Sequence, residues 1–191
     1  SVVFFSTLAG WAFAKLRFRG SKWLLVFVVA TMAVPMQLGV VPLYILFADL
    51  GWTGNIGAII IPALTSAFGV FWMTQYMQQA VPDELLEAAR MDGANSFRTF
   101  LTVAVPAARP AMAILGLFTF MMAWTDYLWP LIVLQTNENK TLTLVVSSLA
   151  SSYYPDYGVV MVATVLATLP TIIVFFLLQR RFVEGLTGSV K

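Results

Sequence analysis

The chain has 191 residues, 60% of them hydrophobic and only 10% charged, with a mean hydropathy of +0.85. A water-soluble domain of this size cannot bury that much apolar surface, so lipid is part of its solvent. The formal net charge of +2 comes with no acidic or basic tail suited to nucleic acid, and the absence of Cys and His excludes disulfides, thiolate nucleophiles, imidazole bases and metal sites built on either residue.

Residues 1–14 are almost continuously apolar and open on Ser1 rather than on Met. The chain is therefore expected to be a fragment whose N-terminal part is absent, not one that begins with a signal peptide. After this first span come Lys15, Arg17, Arg19 and Lys22, a basic loop. Residues 23–48 form a second span, interrupted by Pro35, Gly39 and Pro42, which neighbouring helices in a membrane can accommodate. Asp49 to Asn55 is a short turn-rich loop with no basic residue, and residues 56–79 make a third span. A fourth is expected over about 111–134. Residues 135–156, with Asn137, Glu138, Asn139 and Lys140, form a polar loop whose 141–152 stretch reads as an interfacial helix. The fifth span covers 158–179 and ends at Arg180 and Arg181.

Between spans three and four lies the one long polar island, Pro82 to Pro110. Pro82 suits a first helical position, and Asp83 and Glu84 suit the positive end of a helix dipole. Leu85, Ala88 and Ala89 are expected on one face, with Glu87 and Arg90 three apart on another. Gly93 marks a turn requiring positive φ. Beyond it Asn95 or Ser96 can cap a second short helix with an apolar stripe of Phe97, Phe100, Leu101 and Ala104, ended by Pro106 and Pro110.

Five alternating spans place Lys15, Arg17, Arg19, Lys22, Arg90, Arg98, Arg109, Arg180, Arg181 and Lys191 on one side and Lys140 alone on the other. By the positive-inside rule the polar island and the C-terminus are expected in the cytoplasm. The glycines at 51, 54 and 57 have no following Lys-Ser/Thr, so the chain has no phosphate-binding loop of its own.

Glu87-Ala88-Ala89, then Gly93, then Val103, Val105 and Pro106 reproduce the spacing of the EAA motif, and Asp92-Gly93-Ala94 fits its common DGA form. Val103 and Val105 stand where isoleucine and leucine are usual. The chain thus resembles importer-type ABC permeases. The resemblance implies an all-α polytopic membrane protein of about five transmembrane helices, a single permease domain over 1–191 with the type I importer (MetI-like) fold. Its cytoplasmic EAA coupling region, 82–106, would dock in a groove of a nucleotide-binding subunit through Glu87, Ala88, Ala89, Asp92, Gly93, Ala94 and Pro106. It also implies a bacterial plasma-membrane location, a second permease subunit, two ATPase subunits that bind the ATP, and an extracytoplasmic solute-binding protein. No cofactor in this chain and no enzymatic activity of its own are expected.

Trp124-Thr125-Asp126-Tyr127-Leu128-Trp129-Pro130 resembles the W-N-x-F-x-x-P stretch of the carbohydrate, maltose-type branch. Thr125 and Tyr127 replace its usual Asn and Phe. Sugar or oligosaccharide import is the implied function. Gln37, Thr65, Ser66, Trp124 and Tyr127 are of the types that line a sugar path, and equally of the types that pack membrane helices. Asp126, the one ionisable residue inside an expected span, suits either a solute path or an outer interfacial anchor. An ion-gradient-driven carrier and an amino-acid or peptide ABC importer remain the alternatives. Few charged groups lie inside the spans to support the first.

Overall fold

The computed structural model describes residues 1–135 and 139–187, with side chains described through residue 177. Asn137 and Glu138 of the expected outer loop, and Lys191, lie outside the described residues. The described elements are helical: α1 (Val2–Lys15), α2 (Ser21–Thr31), α3 (Val40–Asp49), α4 (Gly57–Ile60), α5 (Ala67–Ala80), α6 (Asp83–Met91), α7 (Ser96–Thr99), α8 (Val105–Thr125), α9 (Leu128–Val133), α10 (Leu142–Ala150) and α11 (Tyr157–Thr187). They divide into two compact units. One contains Ser1–Val34, Leu64–Gly116 and the described residues from Arg180; the other contains Pro35–Ala63 and Leu117–Gln179.

In the first unit α1 lies directly against α5. The contact depends on small residues, which let membrane helices approach at backbone distance. A Cβ on Gly10 would stand 2.6 Å from Met73 Cβ and 2.9 Å from the Met73 carbonyl carbon, and one on Gly69 would collide with Ser6 Oγ. Buried Thr74 satisfies its hydroxyl within its own helix, donating to the Val70 carbonyl at 2.7 Å. Ser6 Oγ is buried with no hydrogen-bond partner among the described residues. Trp11, Met73, Met77 and Val81 continue into Leu86, Phe100, Ala104, Ala108, Ala111 and Leu115 as one apolar cluster. Trp72 closes it from α5, its Nε1 donating to the Ala111 carbonyl at 3.2 Å.

The second unit has a smaller cluster of Phe47, Ala58, Val133, Leu134 and Leu144. Trp129 packs its ring 6.1 Å from Phe47 and donates from Nε1 to the Ala58 carbonyl at 2.9 Å. The turn at Gly54, whose φ of +80° favours glycine, is pinned by its N–H on the Val133 carbonyl at 2.7 Å.

The expected spans are realised unevenly. Ser96–Thr125 and Tyr157–Leu177 are continuous apolar helices of 30 and 21 residues, long enough to cross a bilayer. The stretch read as a second span breaks ahead of Pro35 and resumes through a 3₁₀ turn at Met36–Gly39, whereas Pro42 sits in the first turn of α3. The third is divided around Pro62 into α4 and α5, and Ser66 caps α5 by accepting from Gly69 N. The fourth stops at Thr125 and restarts at Leu128. Helix α1 is apolar over 14 residues. The 141–152 stretch forms α10, with Thr141 as its capping side chain.

Candidate functional site

The 82–106 segment is built around a turn closed from both sides. Pro82 precedes the helix, with φ −60° and ψ 144°, so Asp83 rather than Pro82 is the first helical residue of α6. At the other end Asp92 is the cap and Gly93 follows with φ +76°. Gly93 N–H donates to the Arg90 carbonyl at 3.0 Å and Ala94 N–H to the Ala89 carbonyl at 2.9 Å. These two bonds are the Schellman pair, which needs a left-handed residue at the position Gly93 occupies. An added Cβ there would meet nothing within 4 Å among the described residues, so it is the backbone geometry that calls for glycine. Two residues later Asn95, the first of the two expected caps, accepts from Arg98 N–H at 2.8 Å and opens α7. The motif's alanine carbonyl, its glycine and this asparagine together fix a turn of a few residues.

The faces of α6 differ from the expected ones. Leu86, not Leu85, is the buried anchor at 6% exposure, and it joins the Trp11–Phe100 cluster. Leu85 is half-exposed and Met91 almost fully exposed. Ala88, Glu87, Asp92 and Gly93 are likewise exposed, while Ala89 and Ala94 are half-buried. Leu85, Ala88 and Ala89 therefore do not share one environment. At a helix spacing of 100° per residue several faces are available, and the core beneath selects one.

The second short helix does not end at Pro106 and Pro110. Helix continues from Ser96 to Thr125, passing through a π turn at Phe100–Ala104 in which Val105 N–H bonds to the Phe100 carbonyl five residues back. A proline ring ordinarily strikes the carbonyl four residues earlier. Widening the turn just before exposed Pro106 relieves that contact, so the motif's terminal proline sits on a bulge inside a helix.

Asp83 binds Lys15, the last residue of α1, Nζ donating to Oδ1 at 2.7 Å. That hydrogen bond, then the ammonium charge, with smaller contributions from Arg17 and Arg90, holds the Asp83 carboxyl below its ordinary value. A cavity of about 230 Å³ lies alongside, bordered by Lys15, Leu86, Arg90, Asn95, Ser96 and Thr99. The sequence reading omitted Leu86 and the Lys15–Asp83 pair from the site. The partners of the pair stand 68 positions apart, and only the complementary charge at two helix ends hinted at them.

In the other unit, Trp124, Asp126 and Tyr127 lie at the break between α8 and α9. Asp126 is half-buried and falls in the non-helical step itself, not within a helix. The expected span is interrupted there, so the carboxylate is displaced from helical register. Trp124 stacks on Phe120 with ring centres 5.5 Å apart and donates from Nε1 to the Ala167 carbonyl at 2.9 Å. Its own carbonyl accepts from Thr143 Oγ1 at 3.0 Å. Tyr127 Oη and Ser147 Oγ are 3.1 Å apart. Gln37 is exposed in the 3₁₀ turn, and no hydrogen bond among the described residues joins it to these three.

Residues 4–188 match the family described as binding-protein-dependent transport system inner membrane component. The chain belongs to that family. This permease is 45% identical over 186 residues to the lactose transport system permease protein LacG of Rhizobium radiobacter, an alignment covering 97% of this chain and 68% of the relative. It is 36% identical over 190 residues to the arabinooligosaccharides transport system permease protein AraQ of Bacillus subtilis (strain 168), covering 99% and 67%. Its fold matches a chain from the crystal structure of a bacterial ABC transporter involved in the import of the acidic polysaccharide alginate. The TM-score is 0.78 at 25% identity, over 94% of this chain and 72% of that one. The permease is therefore an inner-membrane subunit of an ABC importer, all-α in fold, from a family that works with a partner permease, an ATPase and a solute-binding protein.

Proposed function

We propose that the permease imports a sugar or oligosaccharide and that α6, with its closed turn, is the element a cytosolic ATPase subunit grips. The observation that carries the reading is the outward face of α6. Leu85, Ala88 and Met91 project from a helix whose C-terminal end is closed by its own backbone, beside the carboxylates of Glu87 and Asp92. A short amphipathic knob of this kind suits a helix-in-groove partner. On this reading the segment and the C-terminus face the cytoplasm, two ATPase subunits supply the ATP sites, and the permease pairs with a second permease. The relatives' lactose and arabinooligosaccharide systems support the substrate class, and the Trp124–Tyr127 step is the candidate solute path.

Gly93→Asp tests the docking. It imposes a left-handed penalty of about 1–2 kcal/mol on a non-glycine residue and adds a charge at the contact. The expected result is loss of ATPase co-purification and of uptake, while normal recovery together with normal uptake would defeat the reading. Uptake of labelled lactose and arabino-oligosaccharide that stops on ATP depletion but survives an uncoupler is expected of an ABC importer. The reverse pattern would indicate an ion-driven carrier.

A further inference from the structure

Helix α6 is joined through the chain to α5 before it and to α7–α8 after it, but its closest charged contact is with neither. The contact is with α1. Lys15 Nζ and Asp83 Oδ1 form the ion pair found among the described residues. The side chain of Lys15 is only 8% exposed, that of Asp83 73%, so a packed lysine stem presents its ammonium to a carboxylate at the surface. Lys15 stands at the C-terminal end of α1 and Asp83 at the N-terminal end of α6, where each helix dipole favours the charge it carries. One turn away on each helix, Trp11 and Leu86 belong to the same buried cluster. Helix α6 is thus fastened to α1 at two points. With its carboxylate end in solvent, the pair adds little to overall stability.

We infer that Lys15 and Asp83 are positioning residues that make α1 and α6 move as one body, so that displacement of the EAA segment reaches α1 as well as the helices covalently attached to it. This rests on the coupling reading above. The chain has no cysteine, which permits spin labels at Phe4→Cys on α1 and Glu84→Cys on α6, both exposed positions. The distance between them is measured in the full-length permease assembled with its partner permease and ATPase subunits, with and without ATP. The expected distance is unchanged by ATP in the parent and in Lys15→Arg. In Lys15→Met and Asp83→Asn it shifts or broadens by on the order of 2 Å, the size of a helix shift at an interface. The double variant is expected to be no worse than either single one. An ATP-dependent distance in the parent, or a Lys15→Met variant that behaves as the parent does, overturns the inference. Loss of ATPase co-purification in Lys15→Met also overturns it, by placing the pair in docking. Failure of the unaltered permease to retain its ATPase overturns the coupling reading itself.

Discussion

The EAA segment and the Trp124–Tyr127 step are both short interruptions in apolar sequence, yet they use their side chains in opposite ways. In the EAA segment the backbone closes its own bonds at Gly93 and Ala94, with one side-chain cap from Asn95, and leaves Leu85, Glu87, Ala88 and Met91 directed outward. At the Trp124 step the side chains themselves hold the structure. Indole Nε1 of Trp124 is engaged with Ala167, that of Trp129 with Ala58, and Tyr127 with Ser147. The contrast teaches that a motif residue is available to a partner when the fold does not already occupy it. By that criterion the first region is a surface and the second is largely a scaffold.

The strongest break of this comparison is Leu86→Ala. Removing a buried leucine from the Trp11–Phe100 cluster is expected to cost about 2–5 kcal/mol, read as a lowered melting temperature of the detergent-purified permease. Retention of the parent melting temperature would show that the anchor is not there. Trp124→Phe keeps the stacked ring and removes one hydrogen bond, an expected loss of about 0.5–1.5 kcal/mol, with uptake of the same sugar unaltered. A changed sugar preference in that variant would turn the scaffold into a solute contact. Leu85→Ala, next to Leu86, is expected to change stability by less than about 0.5 kcal/mol, as surface substitutions do, while weakening ATPase co-purification. The two neighbouring leucines should thus give opposite phenotypes, and matching phenotypes would dissolve the distinction between the faces.

The smallest effect is that of pH at Asp83. Its carboxyl is held below the ordinary 3.8 by the Lys15 hydrogen bond first and the Lys15 charge second. A lowered folded-state value means the contribution is complete above the unfolded value and is lost as pH falls through the folded one. The melting-temperature difference between the parent and Asp83→Asn is therefore expected to stay constant from about pH 5 to 8 and to shrink only below about pH 4. A change near neutrality would mean that another group controls the pair.

Where local chemistry decides conformation, the sequence was readable. Gly93 announced a left-handed turn, Asn95 a cap, and 141–152 a short helix, because each depends on a few adjacent residues. Readability stopped where a distant packing partner decides. Leu85 and Leu86 are equally apolar, and only Trp11 and Phe100, far away in the chain, select between them. The Lys15–Asp83 pair failed to show for the same reason. Pro106 suggested a helix end because a proline conflicts with the preceding turn, but a π turn offered another relief that composition does not signal. Asp126 was assigned to a helix because its neighbours are apolar and aromatic, whereas the backbone steps aside there.

The back-to-back closure of the turn at Gly93 and Asn95 bears on repeated engagement. A knob whose conformation is maintained by its own carbonyls and amides retains its shape between encounters, so a partner that releases and rebinds it meets the same contour each time. The ordering entropy that a disordered loop would lose at every association is largely absent. On the proposed docking, successive transport cycles would need no re-formation of this turn.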